Sequence, residues 1–101
     1  AVMAEMERQP SLPERWEVYF EGHVQGVGFR YTARRIAVRF AVAGYVKNLP
    51  DGRVLLVMEG VPEEMERMLQ VLQAEMGRYI ARTCRKTGPA TGEFRGFEIR
   101  F

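Results

Sequence analysis

Five polar or reactive residue types occur only once in this chain of 101 residues, and so few copies exclude several classes of chemistry. They are Ser11, His23, Asn48, Asp51 and Cys84. One Cys cannot form a disulfide framework. One Cys and one His cannot supply the three or four ligands of a Cys/His zinc site, so that class of metal site is excluded. A Ser-His-Asp triad would place its nucleophile in a charged N-terminal segment between prolines, which is a poor site for one. An enzyme built from this chain therefore works with other groups.

The sequence also lacks a long apolar run and a large excess of one charge. No segment approaches the ~20 apolar residues of a membrane span, and the charged first fifteen residues lack the apolar region of a signal peptide. The net charge of +2, from 15 basic and 13 acidic residues, predicts neither a nucleic acid nor a membrane as partner. The lone Cys fits a reducing cytoplasm, and we expect a monomer.

The chain is long enough for one domain with an ordinary core, since 47% of its residues are hydrophobic. Residues 1–15 contain two prolines and many charges, so we expect a flexible extension there. We expect the folded domain to occupy residues 16–101.

Hydrophobic periodicity predicts two helices and five strands. The predicted strands cover 16–21, 44–48, 53–59, 79–86 and 97–101, and the predicted helices cover 29–41 and 62–76. Leu49-Pro-Asp-Gly52 predicts a tight turn between the second and third strands, and residues 87–92 are expected to form a loop. The order β-α-β-β-α-β-β is typical of a ferredoxin-like α+β sandwich, in which two helices pack on one face of a mostly antiparallel sheet.

A glycine-rich segment from Val24 to Arg30 joins the first strand to the first helix. Gly26 and Gly28 allow successive backbone N–H groups to turn inward and form an anion-binding concavity, to which the helix N-terminus adds its free N–H groups. Arg30 lies in the first helical turn, where the helix dipole disfavours a positive charge; a bound phosphate would resolve that conflict. The alternative is that the glycines only permit a tight turn and Arg30 is solvated.

Two sequence signatures resemble those of the acylphosphatase family. Gly22-His-Val-Gln-Gly-Val-Gly-Phe-Arg30 is similar to its first signature, and Gly44-Tyr-Val-Lys-Asn-Leu-Pro-Asp-Gly-Arg-Val54, followed by Gly60, is similar to its second. The resemblance implies a cytoplasmic, metal-independent hydrolase that converts acyl phosphates to a carboxylate and inorganic phosphate. It also implies that a phosphate-binding loop holds the substrate and that Asn48 orients the attacking water. The loop residues are Val24, Gln25, Gly26, Val27, Gly28, Phe29 and Arg30.

The chemistry of an acyl phosphate is compatible with these residues. The carboxylate leaving group is weakly basic and does not require a general acid, so the remaining tasks are positioning and charge stabilisation. Asn48 is neutral, and its amide can both accept from and donate to a water molecule without repelling phosphate. Without the signature, the favoured interpretation of Asn48 is a strand-end residue that bonds to the adjacent turn.

Other reactive or charged residues have structural interpretations. We interpret His23 as incidental, Cys84 as a small packed residue, and Arg34, Arg35 and Arg39 as a solvated helix face. Residues Met65, Met68, Leu69, Leu72 and Met76 recur at helical spacing and predict core.

Two binding functions are the alternatives to catalysis. Arg95-Gly-Phe-Glu-Ile-Arg-Phe101 faintly resembles the aromatic strand of an RNA-recognition module, although it departs from that motif at its fourth and fifth positions. A non-catalytic acylphosphatase-like module, such as that of hydrogenase-maturation carbamoyltransferases, would share the signatures. The presence of both Arg30 and Asn48 favours an active enzyme.

Overall fold

The computed structural model describes residues 12–101, and its elements follow the predicted order. The strands are β1 (Glu14–Gly22), β2 (Val42–Asn48), β3 (Val54–Gly60), β4 (Ile80–Pro89) and β5 (Phe97–Arg100), and the helices are α1 (Phe29–Ala37) and α2 (Pro62–Met76). A short 3₁₀ turn, Gly77–Tyr79, joins α2 to β4. Strand β1 begins two residues before the predicted start at Trp16. Residues 1–11, where most of the expected extension falls, lie outside the described residues, and the flexible extension stays a prediction.

The five strands form one sheet in the order β4-β1-β3-β2-β5. Strand β1 pairs antiparallel with β3 and with β4, and β2 pairs antiparallel with β3. Strands β2 and β5 pair parallel. Alternation in β1 directs Trp16, Val18 and Phe20 into the core. The two helices pack on the sheet, which confirms the ferredoxin-like α+β sandwich predicted from the element order.

One hydrophobic core lies between the helices and the sheet. The predicted methionine stripe of α2 contributes Met65, Met68 and Met76 to it, all at most 5% exposed. Burying each such side chain stabilises the fold by roughly 1.5–3 kcal/mol. Within residues 12–101, no helix combines the length and the apolar character that crossing a membrane requires.

Helix α1 is shorter than predicted. It ends at Ala37 rather than residue 41, because the chain tightens into 3₁₀-type bonds from Arg39 N to Ile36 O and from Phe40 N to Ala37 O, each 3.0 Å. Phe40 still packs partly against the core, which explains its helical spacing in the sequence. The tightening lets the chain reverse and enter β2 at Val42.

The structure of strand β4 differs from the sequence prediction in its length and in the exposure of Cys84. It continues through Thr87, Gly88 and Pro89, where a loop was predicted, because these residues pair with the start of β1. Cys84 is exposed, so its interpretation as a packed residue was wrong. The cause is position, since β4 lies at the sheet edge and Cys84 is on an edge strand whose residues are mostly exposed.

A buried carboxylate on β3 holds the connection between β4 and β5. Glu59 is 7% exposed and accepts hydrogen bonds from Thr91 N (2.9 Å), Thr91 Oγ1 (2.8 Å) and Gly92 N (2.9 Å), with Arg15 Nη1 at 3.4 Å. Burial raises the pKa of Glu59, but the hydrogen bonds from Thr91, Gly92 and Arg15 outweigh it and hold the pKa below its ordinary value. Glu59 is therefore ionised in the folded protein at neutral pH.

Candidate active site

The glycines of the loop between β1 and α1 are required by backbone conformation. Gly26 has φ +79° and Gly28 has φ +78°, in the left-handed region that side chains disfavour. A Cβ built on either glycine meets nothing within 4 Å, so lack of space is not the reason for glycine. The space in front of the loop is open.

The two ends of the loop are anchored in the core. Val24 is 0% exposed and Phe29 is 2% exposed, and the Phe29 ring lies 5.0 Å from that of Phe20 on β1. Val27 packs partly against the same core. The predicted loop residues with apolar side chains thus hold the loop in place, while their backbone remains available to a ligand.

Helix α1 begins without a side-chain cap. Its N-cap is Gly28, which makes no side-chain hydrogen bond, and its first turn contains no acidic residue. The first N–H groups of a helix have no intrahelical acceptor, and together with the helix dipole they favour an anion. Arg30 is the second residue of α1, as predicted, and adds a full positive charge at this helix end.

The Arg30 guanidinium contacts the residues that follow β5. Its Cζ lies 4.6 Å from the centroid of the Phe101 ring, and Nη1 is 3.5 Å from the Arg100 carbonyl oxygen. Within residues 12–101, Arg30 forms no ion pair with a carboxylate. Its charge is therefore available to an exogenous anion.

The side chain of Gln25 links the loop to the turn between β2 and β3. Gln25 Nε2 donates to the carbonyl oxygens of Leu49 (2.8 Å) and Arg53 (2.9 Å). Both carbonyls belong to the turn that directly follows Asn48. Gln25 thus sets the distance between the glycine loop and the end of β2, a role that sequence reasoning missed because its partners are 24 and 28 residues away.

Asn48 is the last residue of β2, and its side chain has no hydrogen-bond partner within the described part of the chain. The alternative role predicted for it, bonding the adjacent turn, is filled by other groups. Gly52 N donates to Leu49 O (3.1 Å), Leu49 N donates to Arg53 O (2.8 Å), and Asp51 Oδ1 accepts from Arg53 N (3.1 Å). The Asn48 amide remains available to a ligand or a water molecule.

One cavity of about 210 Å³ joins the loop, the helix start and the end of β2. It is lined by Val24, Gly26, Gly28, Phe29, Arg30, Tyr31 and Asn48. The structure thus brings together five of the seven predicted loop residues and Asn48, whereas Gln25, Val27 and the exposed His23 do not line the cavity. A wider depression of about 380 Å³ lies along residues 93–98, but it includes neither the glycine loop nor Asn48.

The arginines that follow Arg30 are exposed. Arg34 and Arg35 lie on the exposed face of α1, with Arg35 paired to Glu75 on α2, as predicted. Arg39 is also exposed, but it lies beyond the end of α1 rather than on a helix face. Within residues 12–101, no three His, Cys, Asp or Glu side chains are grouped so as to hold a metal ion.

The fold and the cavity define a class of protein. It is a small ferredoxin-like α+β domain in which one cavity is lined by an uncapped helix start, two left-handed glycines, an arginine and a neutral amide. The acylphosphatase family model matches residues 16–99, and the chain belongs to the acylphosphatase family.

Individual relatives agree with this assignment. An acylphosphatase of Nocardia farcinica is 41% identical over 90 residues, covering 87% of this chain and 89% of the relative. The crystal structure of an acylphosphatase from Bacillus subtilis superposes with a TM-score of 0.78 at 25% identity, covering 87% of this chain and 99% of that one. The structure of T. kodakarensis HypF has a TM-score of 0.75 at 33% identity, and the match covers 87% of this chain but only 12% of HypF. The same domain thus also occurs as a small part of a longer protein.

Proposed function

We propose that this protein hydrolyses acyl phosphates to a carboxylate and inorganic phosphate. The proposal is carried by one observation. A single cavity contains the arginine at an uncapped helix start and, across from the glycine loop, an amide with no hydrogen-bond partner of its own. The names of the relatives support the same reaction.

Arg30 and the loop amides hold the phosphoryl group in this proposal. Guanidinium N–H groups form paired bonds to phosphoryl oxygens, and the helix start contributes further donors. In the transition state of phosphoryl transfer, charge spreads over the three equatorial oxygens, so fixed donors aimed at them lower the barrier.

Asn48 orients the water in this proposal. The water oxygen forms a bond to phosphorus while the bond between phosphorus and the acyl oxygen breaks, and the electron pair leaves with the carboxylate. No carboxylate or imidazole is present among the residues that line the cavity, so the proton of the water passes to a phosphoryl oxygen. Because the leaving carboxylate is weakly basic, the reaction needs no general acid.

We further propose that the protein acts as a cytoplasmic monomer on a small molecule, without metal, cofactor or nucleic acid. Within residues 12–101, β4 is an edge strand that carries Arg82, Arg85 and Lys86, and charged side chains on an edge strand disfavour pairing with a second edge. The exposed thiol of Cys84 suits a reducing compartment. A single species of 11.6 kDa in light scattering would support the monomer, and a dimer would contradict it.

The test of the activity is hydrolysis of benzoyl phosphate by the purified protein with and without EDTA. We expect release of inorganic phosphate well above the buffer rate, unchanged by EDTA, with inorganic phosphate as a competitive inhibitor. A rate equal to that of buffer alone would refute the proposal. Tight binding of single-stranded RNA would then favour the RNA-recognition alternative.

A further inference from the structure

Two exposed aromatic residues border the candidate site. Among residues 12–101, four large hydrophobic residues are exposed, and two of them are Tyr31 at 66% and Phe101 at 88%. Tyr31 lines the cavity, and the Phe101 ring lies against the Arg30 guanidinium. Exposed aromatic rings that adjoin a polar site are candidates for contacting the apolar part of a ligand.

The parallel pairing of β5 with β2 places Phe101 at the end of the sheet where β2 ends. Lys47 pairs with Arg100 in this register, so Asn48, the last residue of β2, and Phe101, which follows β5, lie at the same end of the sheet. Phe101 thus comes to the site region through its contact with Arg30, although it is 71 residues from Arg30 in sequence.

The contact between Arg30 and Phe101 is compatible with a bound phosphate. An aromatic ring interacts with the face of a guanidinium group, whereas a phosphate binds in its plane through the N–H groups. Both can engage Arg30 together, so the Phe101 ring would stay beside the phosphoryl group when substrate binds.

The acyl part of the substrate must lie close to that ring. In an acyl phosphate one bridging oxygen separates phosphorus from the acyl carbon, so a phosphate held by Arg30 carries its acyl substituent to the rim of the cavity. Tyr31 lines this cavity of about 210 Å³, and Phe101 lies against the Arg30 guanidinium that also lines it. Both rings are exposed, and a flat apolar group can pack against such rings.

We propose that Phe101 and Tyr31 form an acyl-group subsite that favours acyl phosphates with an aryl or extended apolar substituent over acetyl phosphate. This inference rests on the proposed hydrolysis and adds to it the class of acyl group selected. A purely structural role for Phe101, holding Arg30 in place, predicts a different result, because loss of the ring would then affect all acyl phosphates equally.

The experiment compares kcat/KM for benzoyl phosphate and for acetyl phosphate in the full chain and in four variants. They are Phe101→Ala, Phe101→Leu, Tyr31→Ala and the control Val38→Ala, which removes an exposed apolar side chain at the other end of α1. We expect the benzoyl-to-acetyl ratio to fall about three- to tenfold in Phe101→Ala and in Tyr31→Ala. Phe101→Leu should retain part of the preference, and Val38→Ala all of it.

The outcomes separate this inference from the function on which it rests. If the full chain hydrolyses neither substrate, the proposed function fails and the subsite fails with it. If hydrolysis stands but the ratio is unchanged in both alanine variants, the subsite is refuted and the function is retained. An equal loss for both substrates in Phe101→Ala, with weaker inhibition by inorganic phosphate, would assign Phe101 to the support of Arg30 and refute the subsite. Circular dichroism verifies that each variant is folded.

Discussion

The side-chain amide nitrogen of Gln25 lies 2.8 Å from the carbonyl oxygen of Leu49. This hydrogen bond connects the glycine loop to the residue that directly follows Asn48. The phosphate-binding and water-orienting halves of the proposed site come from elements that are distant in sequence, and this contact couples them. Positioning of this kind contributes strongly to catalysis, because the reacting groups must be held in close register.

Replacing Gln25 by Leu should weaken activity through the position of the loop. The variant removes the side-chain donor to the Leu49 and Arg53 carbonyls, which keep their backbone donors Gly52 N and Leu49 N. We therefore expect a loss of stability of about 0.5–1.5 kcal/mol. We also expect at least a tenfold loss of kcat for benzoyl phosphate. The matched control is Gln70→Leu on the exposed surface of α2, which should change neither. Full activity in Gln25→Leu would show that the loop keeps its position without this bond.

Arg30→Lys should lower kcat/KM for benzoyl phosphate about 10²–10³-fold, because an ammonium cannot replace the planar fork of the guanidinium. Inhibition by inorganic phosphate should weaken as well. Arg34→Lys is the control, since Arg34 is exposed on the same helix, and steady-state kinetics on both variants provide the test. Wild-type kinetics in Arg30→Lys would remove Arg30 from the site.

Asn48→Ala should lower kcat about 10–100-fold while the inhibition constant of inorganic phosphate changes less than about twofold. The reason is that a water-orienting amide acts in the transition state and contributes little to ground-state phosphate binding. Asn48→Asp should also be slow, and its carboxylate should in addition weaken phosphate inhibition through repulsion. An Asn48→Ala protein that keeps its kcat but loses phosphate affinity would contradict the assigned role.

Glu59→Gln should destabilise the fold in a manner that depends on pH. The pKa of Glu59 is lowered in the folded state, so its ionised form stabilises the protein above the unfolded-state pKa, and this contribution is lost as the pH falls through the folded-state pKa. Urea unfolding at pH 7 should show a loss of about 1.5–3 kcal/mol in the variant, and the difference should shrink towards pH 3. Glu75→Gln, at an exposed ion pair, is the control. A difference that is constant between pH 7 and pH 3 would refute this account.

Local patterns in the sequence predicted most of the fold. Alternation around Val18 and Leu56 and the helical spacing of Met65 and Met68 reflect which face of each element is buried, and burial dominates folding energetics. The misplaced boundaries lie where tertiary pairing decides. The predicted loop at residues 87–89 became strand because β1 offers it hydrogen-bond partners, and Cys84 is exposed because no strand lies outside β4 within the described residues.

The features of the candidate site likewise fall into those that have a local sequence signature and those that depend on long-range contacts. The sequence predicts Gly26, Gly28 and Arg30 as site residues, because a glycine loop before a helix has a local signature, and it predicts Asn48 through the resemblance to the second signature; all four line one cavity. Three contacts were not predictable from the sequence, because each joins distant segments. They are the hydrogen bonds from Gln25 to the turn after β2, the contact of the Phe101 ring with Arg30, and the hydrogen bonds from Thr91 and Gly92 to Glu59. Their chemistry is visible in the amino acids, but their partners are not.

The amino-acid sequence alone determined the element order, the buried faces and the identity of the loop, because backbone conformation and hydrophobic periodicity act over a few neighbouring residues. Only the tertiary structure decided that Arg30, Asn48 and Phe101 meet at one end of the sheet. That meeting depends on the parallel pairing of β5 with β2 and on the hydrogen bonds of Gln25. Bringing such distant segments together costs conformational entropy. These long-range contacts therefore form only when burial of the whole core offsets that cost.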